Sequence, residues 1–390
     1  MTARRMLMVS QHPYPTHPQV YRNVQYLLGQ GIEVDLVSTA SAHLPDWSNG
    51  TPPTLHLHRI RMQHRRTNAL RYLLEYLTFF VRALPVVCRL SLRHRYDAVQ
   101  VDNLPDALVF VAFLPRWRGA RIVLNLFEHM AQMTSTQLGI GNAHWLVRLT
   151  RWFERRSHRW ADHVLSVSET GRTLLLDSGL SSDRISVIPN SMPPQPGPTW
   201  SPTRPPVLLV LTTLTKRYGV QVLIRALTIL GRRRPDLTVR VLGNGEYRSQ
   251  LIELATDLGV SKQVSFHPFM PWSLAMDEVR QAAIGVVPLM PDPYCDLMLP
   301  TKLLDYVEHG LPVVCSQLPT IAAVFPSDTV AYFAPGDPAG LAAQVERLLQ
   351  HPEAAREQAR RARLAMQPIS WEMVAPRYLR ALGFSSRGAR

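Results

Sequence analysis

Lys302 and Asp305 stand three residues apart in the stretch Asp296 to Val314, Asp-Leu-Met-Leu-Pro-Thr-Lys-Leu-Leu-Asp-Tyr-Val-Glu-His-Gly-Leu-Pro-Val-Val. Pro300 suits a first helical turn and Gly310 the C′ position, so the pattern predicts a helix from Thr301 to His309 and a strand opening at Val313. On that helix the ammonium and the carboxylate share one face near the amino-terminal end, where free N–H groups and the macrodipole attract anions. Such a face would hold phosphate oxygens through the cation and amides, and a ribose diol through the carboxylate. An ordinary surface helix of an α/β repeat would carry the same pattern.

Two further loops carry similar chemistry. Thr212-Thr213-Leu214-Thr215-Lys216-Arg217-Tyr218-Gly219 follows the apolar run Val207 to Leu211 and projects Lys216 and Arg217 from a strand-to-helix turn, where a diphosphate would be held. Gly243-Asn244-Gly245-Glu246 follows Val239 to Leu242, and its glycines allow close backbone approach to a ligand or form a plain tight turn. A third glycine is missing, which argues against a nicotinamide dinucleotide.

The elements that must position these loops follow from hydrophobic pattern. Met6 to Val9, Ile32 to Val37, Ala98 to Val101, Ile122 to Leu126, Val164 to Val167 and Ile185 to Ile188 read as buried strands separated by amphipathic segments. A proline-rich stretch, Met192 to Pro206, cannot hold regular hydrogen bonding, and the rhythm restarts at Val207. After it come strands at Val207 to Leu211, Val239 to Leu242, Val264 to Phe266, Ile284 to Val287 and Val313 to Ser316. Helices fall at Val220 to Leu230, Tyr247 to Leu258 and near Leu274 to Ala283. The reading is α/β: two doubly wound, parallel-sheet domains facing across a cleft, with ligands beyond the carboxyl ends of the strands. The expected boundaries are 1–192, a linker at 193–206, 207–370, and a terminal helix in 371–390 that packs back on the first domain.

Composition sets outer bounds. With 390 residues, 46% apolar and 18% charged, the chain is long enough for two globular domains. A formal charge of +14 favours acidic partners such as nucleotide phosphates, anionic lipid headgroups or nucleic acid. Lys216, Lys262 and Lys302 are its only lysines, and two of them fall in the phosphate-type loops. Cys88, Cys295 and Cys315 show neither disulfide nor zinc-ligand spacing, which predicts a reducing compartment and no metal site. The run at Met6 to Val9 is too short for a signal peptide, and Leu70 to Leu90 is too interrupted to span a bilayer. A cytoplasmic protein is the expectation.

Taken together, Pro300-Thr301-Lys302-Leu303-Leu304-Asp305-Tyr306-Val307 with Gly310-Leu311-Pro312-Val313-Val314 resembles the nucleotide-binding helix of the GT-B glycosyltransferases of family 4. Leu214 to Val220, Gly243 to Gly245 and Val187-Ile188-Pro189-Asn190-Ser191 match that family's pattern in order. The resemblance covers nearly the whole chain and is more specific in the second half. It implies two Rossmann-like domains and transfer of a sugar, with retention and without metal, from a UDP- or GDP-linked donor to a glycan or lipid-linked acceptor. No other cofactor is implied.

Residue by residue, Asp305 takes the place of the second Glu of a Glu-x7-Glu motif that holds the ribose. Lys302, Arg217 and Lys216 would neutralise the diphosphate leaving group, with Thr213, Gly243, Gly245 and Thr301 beside the donor. The first Glu falls at Leu297, which leaves Asp296 as its neighbour and substitute. Where the family often has a His after the fourth long strand, this chain has Phe127, followed by Glu128 and His129 as acceptor-activating candidates. His12, His17 and Arg22 are acceptor-side candidates.

The region Arg59 to Arg95 interleaves arginines with Tyr72, Tyr76, Phe79 and Phe80, which suits either a packed crossover helix or a basic segment resting on the inner face of an anionic membrane. The altered motif positions also suit a catalytically degenerate, nucleotide-sugar-binding or assembly subunit. A nucleic-acid-binding protein is disfavoured, because no recognition helix or aromatic-basic sheet surface is legible.

Overall fold

The computed structural model describes residues 4–40, 52–62, 69–141, 143–193, 206–270, 272–292 and 294–385. Most of the proline-rich linker, together with Arg65 and Arg66, lies outside the described residues. The chain forms two compact units, one of residues up to Pro189 with Trp371 onward, the other Asn190–Ser370.

The first unit holds a seven-stranded parallel sheet of β1 (Arg5–Ser10), β2 (Glu33–Ala40), β3 (Leu55–Arg61), β4 (Ala98–Asp102), β5 (Arg121–Leu126), β6 (His163–Ser166) and β7 (Ile185–Val187). Its spatial order is β3-β2-β1-β4-β5-β6-β7, so the winding reverses between β1 and β4. Side chains alternate along β1, and the two faces have separate cores. Leu7 and Val9 meet Phe79, Ala83 and Val87 of the helix Ala69–Arg93 on one face. Met6 and Met8 meet Val20 and Val24 of the helix Pro18–Gly29, and Val374 and Tyr378 of the helix Trp371–Ala381, on the other. Tyr378 is fully buried and donates to Gln100 Oε1 at 2.7 Å.

The second unit is a six-stranded parallel sheet of β8 (Val207–Leu211), β9 (Thr238–Leu242), β10 (Val264–His267), β11 (Ile284–Val287), β12 (Val313–Ser316) and β13 (Ala331–Phe333). The order is β10-β9-β8-β11-β12-β13, with the reversal between β8 and β11. Parallel strands covered by helices on both faces read as near-continuous apolar runs, which is why the inner strands β8, β11 and β12 are legible.

Two strands were not expected. Leu55–Arg61 alternates Leu-His-Leu-His-Arg-Ile-Arg on the sheet edge, so Arg59 and Arg61 belong to a strand and not to the basic helical segment assigned to them. The three-residue Ala331–Phe333 is too short to carry a pattern. Pro85 does not end the helix Ala69–Arg93, which runs through it.

Candidate functional site

In a doubly wound sheet the winding reversal opens a crevice at the carboxyl ends of the flanking strands. In the second unit those strands are β8 and β11, followed by the loops 212–219 and 288–300. Gly219 has φ +71°, and a Cβ there would run into the Pro288 carbonyl. Met290 N donates to Arg217 O at 2.8 Å, fixing one loop to the other. The Gly243 to Gly245 turn joins from β9: Leu214 N donates to Asn244 O at 2.9 Å, and a Cβ on either glycine would strike the backbone of Thr212 or Leu214. The two glycines are therefore required by loop-on-loop packing.

The cations sit around this junction in different states. Lys216 and Thr213 are exposed, and Lys302 is half-buried on the first turn of the helix Thr301–Glu308 beside Thr301. Neither lysine makes an ion pair within 4 Å among the described residues. Arg217 is already engaged: its Nε lies 3.9 Å from Asp292 and its guanidinium 5.1 Å above the Tyr294 ring. Asp292 in turn accepts from Tyr294 N at 2.8 Å and Cys295 N at 2.9 Å, an Asx turn that shapes the 288–300 loop. Asp296 is half-buried; burial and then Asp292 raise its pKa, and its carbonyl accepts from Thr320 Oγ1.

The helix Thr301–Glu308 is anchored by Tyr306. Its hydroxyl accepts from Leu211 N at 2.9 Å and donates to Leu209 O at 3.2 Å, while its ring occupies the space left by Gly285. That anchor turns Asp305 inward, to 3% exposure. Burial raises the Asp305 pKa, opposed by Lys302, His309 and the Trp272 indole N–H. Trp272 Nε1 and Asp305 Oδ2 both lack a full hydrogen bond, so the indole is close enough to favour the charged form without being aligned to it. The two line a small recess with Ser191, Leu304 and His309, one turn along the helix from Lys302. A buried acceptor and a buried donor left open at a recess are what a pair of ligand hydroxyls would satisfy.

In the first unit the reversal lies between β1 and β4. His12 and His17, in the loop after β1, stack at 3.9 Å between ring centroids, and Phe127, after β5, meets them at 5.4 and 5.2 Å. Glu128, which follows Phe127 in the chain, is half-buried. Asn103, which follows β4, fixes the Glu128 backbone through a side-chain fork: it donates to Glu128 O at 2.6 Å and accepts from Phe127 N at 2.8 Å, while Asp106 Oδ1 takes its other amide proton at 2.9 Å. Glu154 supports the next turn by accepting from Ala131 N at 2.8 Å.

Arg22 does not stand where the sequence suggested, and one side of His129 is packed. The His129 ring lies against Gly171 and Ser166, where Gly171 has no room for a Cβ, and burial lowers its pKa to about 4. Arg22 is 3% exposed; it donates to Pro189 O at 2.9 Å and to Asn23 Oδ1, and lies 4.0 Å from the Trp371 ring centroid. Desolvation lowers its pKa to about 9. Arg22 therefore serves the interior of its unit, in place of the acceptor contact expected of it, while His129 is half-buried like Glu128 and carries a neutral ring at neutral pH.

Asn103, Asp292 and Trp272 complete these sites; Asp292 has a sequence signal as the turn former of Pro291-Asp292-Pro293, Trp272 has one in the aromatic stretch Phe269-Met270-Pro271-Trp272, which suits the border of a nucleotide base, and Asn103 has none. Among the described residues no three His, Cys, Asp or Glu side chains group as metal ligands do, and no helix is long and apolar enough to cross a membrane.

Comparison with known proteins places this geometry. Residues 195–365 match the model for glycosyl transferases group 1, and residues 16–191 the model for a glycosyl transferase 4-like domain. A GDP-mannose-dependent alpha-(1-6)-phosphatidylinositol monomannoside mannosyltransferase of Mycolicibacterium smegmatis is 30% identical over 173 residues, 40% of this chain and 45% of that protein. The match thus spans less than half of that relative's length. A D-inositol 3-phosphate glycosyltransferase of Nocardia farcinica is 27% identical over 69% of this chain and 63% of its own. Among solved structures, a sucrose-phosphate synthase of Thermosynechococcus elongatus superposes with a TM-score of 0.76 at 17% identity, covering 97% of this chain and 98% of that one.

Proposed function

Because the chain belongs to the group 1 glycosyltransferases of GT-B fold, we propose that it transfers a hexose from a nucleoside-diphosphate donor, with retention and without a metal ion. The acceptor is a glycan or a lipid-linked sugar in polysaccharide or glycoconjugate synthesis, met at the inner face of a membrane. The observation that carries the proposal is the junction at the second sheet's winding reversal, where Lys216, Arg217 and the amino-terminal turn bearing Lys302 arise from loops locked to one another.

In this reading the diphosphate lies on Lys216, Lys302 and the amino-terminal turn of the helix Thr301–Glu308, and the ribose hydroxyls reach Asp305 and Trp272. Thr213, Gly243, Gly245 and Asp296 border the donor. When the bond between the anomeric carbon and the diphosphate oxygen breaks, negative charge grows on the leaving group and the cations take it up; stabilisation of this kind contributes roughly 3–4 kcal/mol per well-placed donor. The acceptor hydroxyl bonds to the anomeric carbon and gives up its proton, for which this reading assigns the Glu128 carboxylate as the base. One observation favours a second reading, a donor-binding subunit without turnover: Arg217 is already neighboured by Asp292.

The test is a binding panel of uridine, guanosine and thymidine diphosphates by calorimetry, followed by the matching sugar donors in transfer and hydrolysis assays. Binding with turnover supports the enzyme, binding alone supports the subunit, and no binding removes both.

A further inference from the structure

The helix Trp145–Trp160 in the first unit presents an outward face that its own unit does not cover. Val147, Glu154, Ser157 and His158 face inward. On the opposite side Trp145, Leu149, Trp152 and Phe153 are 43–64% exposed, far more aromatic surface than one helix face ordinarily leaves in water. Between them Arg148, Arg155, Arg156 and Arg159 are exposed. The helix's one acidic residue, Glu154, is turned inward onto Ala131 N, so the outer face has a single sign of charge.

Neighbouring elements extend the face. The short helix Phe113–Trp117 shows Phe113 at 52% and Trp117 at 83% exposure. Arg116 ties it to the Trp145–Trp160 helix by lying 4.7 Å from the Trp160 ring centroid.

We propose that this face is a docking surface for an anionic lipid bilayer. The occupant follows from the charge. A second copy of the chain would bring arginines against arginines across a two-fold interface, whereas anionic headgroups neutralise them. Trp and Phe then enter the headgroup boundary, where an apolar ring with a polar edge is most favourable. Each arginine adds to the attraction near such a surface, and the attraction is screened by salt. The surface rests on the proposed membrane-side acceptor for its purpose, and moves the contact from the Arg59 to Arg95 region to the helix Trp145–Trp160.

The full chain is floated with phosphatidylcholine vesicles and with vesicles containing about one-third phosphatidylglycerol, at low and high salt. Trp145→Ser/Trp152→Ser and Arg155→Gln/Arg156→Gln are compared with the parent, with far-ultraviolet dichroism and thermal midpoints as folding controls. The expected result is flotation with anionic vesicles only, lost at high salt, and weakened by roughly tenfold or more in each double variant. Failure of the parent to float, equal binding to neutral vesicles, or unchanged binding by folded double variants overturns the proposal. A concentration-dependent dimer that the tryptophan variants dissolve overturns it in favour of a second copy. Flotation needs no turnover, so a chain that binds lipid but no nucleotide would fail the proposed function and keep this inference.

Discussion

The Asn103 side chain holds Glu128 by its backbone carbonyl, at 2.6 Å, and the residue before it by its amide, at 2.8 Å. A fully buried amide thus sets the path of the loop that carries Glu128, a half-exposed carboxylate. Asn103→Ala orphans both loop groups and Asp106 Oδ1, at roughly 1–3 kcal/mol for each group left unpaired. The thermal midpoint should drop, and kcat should fall on the order of 10- to 100-fold with a smaller change in donor KM, because the donor lies on the other unit in this reading. Asn103→Asp, which can accept but not donate, should do no better.

Lys302→Ala should lower kcat/KM by roughly 10²- to 10³-fold, the range for losing one donor to a developing oxyanion. Arg217→Ala should fall in the same range, but for a mixed reason, since it also removes the partner of Asp292. Steady-state kinetics of a Lys302, Arg217 and Asp292 alanine series separates the two effects. Full turnover in both cation variants would take the diphosphate away from this junction.

Asp305→Asn removes a buried carboxylate whose Oδ2 has no partner. The fold should tolerate it, with a thermal midpoint equal to or above the parent's. Nucleoside-diphosphate affinity should weaken roughly 10- to 100-fold, as expected when a charged acceptor of ligand hydroxyls is lost. A titration showing unchanged affinity would move the ribose elsewhere.

His158 is 5% exposed, both its ring nitrogens lack partners, and burial, then His129, lowers its pKa to about 3. A histidine whose folded pKa is depressed binds fewer protons folded than unfolded between that value and about 6.5, so stability falls as the pH drops through this window. His158→Phe should lessen the acid loss, and its gain in thermal midpoint over the parent should be larger at pH 5 than at pH 8. An equal gain at both would show that packing alone was changed.

Gly219→Ala places a Cβ where the Pro288 carbonyl lies, at a φ of +71°. The variant should lose at least about 1 kcal/mol of stability from the conformation alone. It should also lose donor affinity, since the 212–219 and 288–300 loops can no longer meet. Limited proteolysis around Met290, with and without nucleotide, reads this directly.

The second unit was the more legible. Its inner strands Val207–Leu211, Ile284–Val287 and Val313–Ser316 are buried throughout and the first two appear as unbroken apolar runs, and Pro300 and Gly310 bracket the helix Thr301–Glu308. What one chain could not reveal is which polar residues the fold turns inward. Arg22 sits beside a loop that invites a ligand, yet Trp371, far off in sequence, decides its surroundings. Asn103 has no motif; its role exists only because β4 and β5 are neighbours. Similarly, the outward aromatics of Trp145–Trp160 share the helical period of an inward face, and only packing tells the two apart.

The return of Trp371–Ala381 to the first sheet sets an order of assembly. Val374 and Tyr378 complete a core begun at Met6 and Met8, so during synthesis that core stays open until the last helix has left the ribosome. Asn190–Ser370, though translated later than most of its partner, is whole before it. A premature stop ahead of Trp371 would therefore leave the later unit intact and strand the earlier one half-built, as a hydrophobic surface for chaperones and proteases to find.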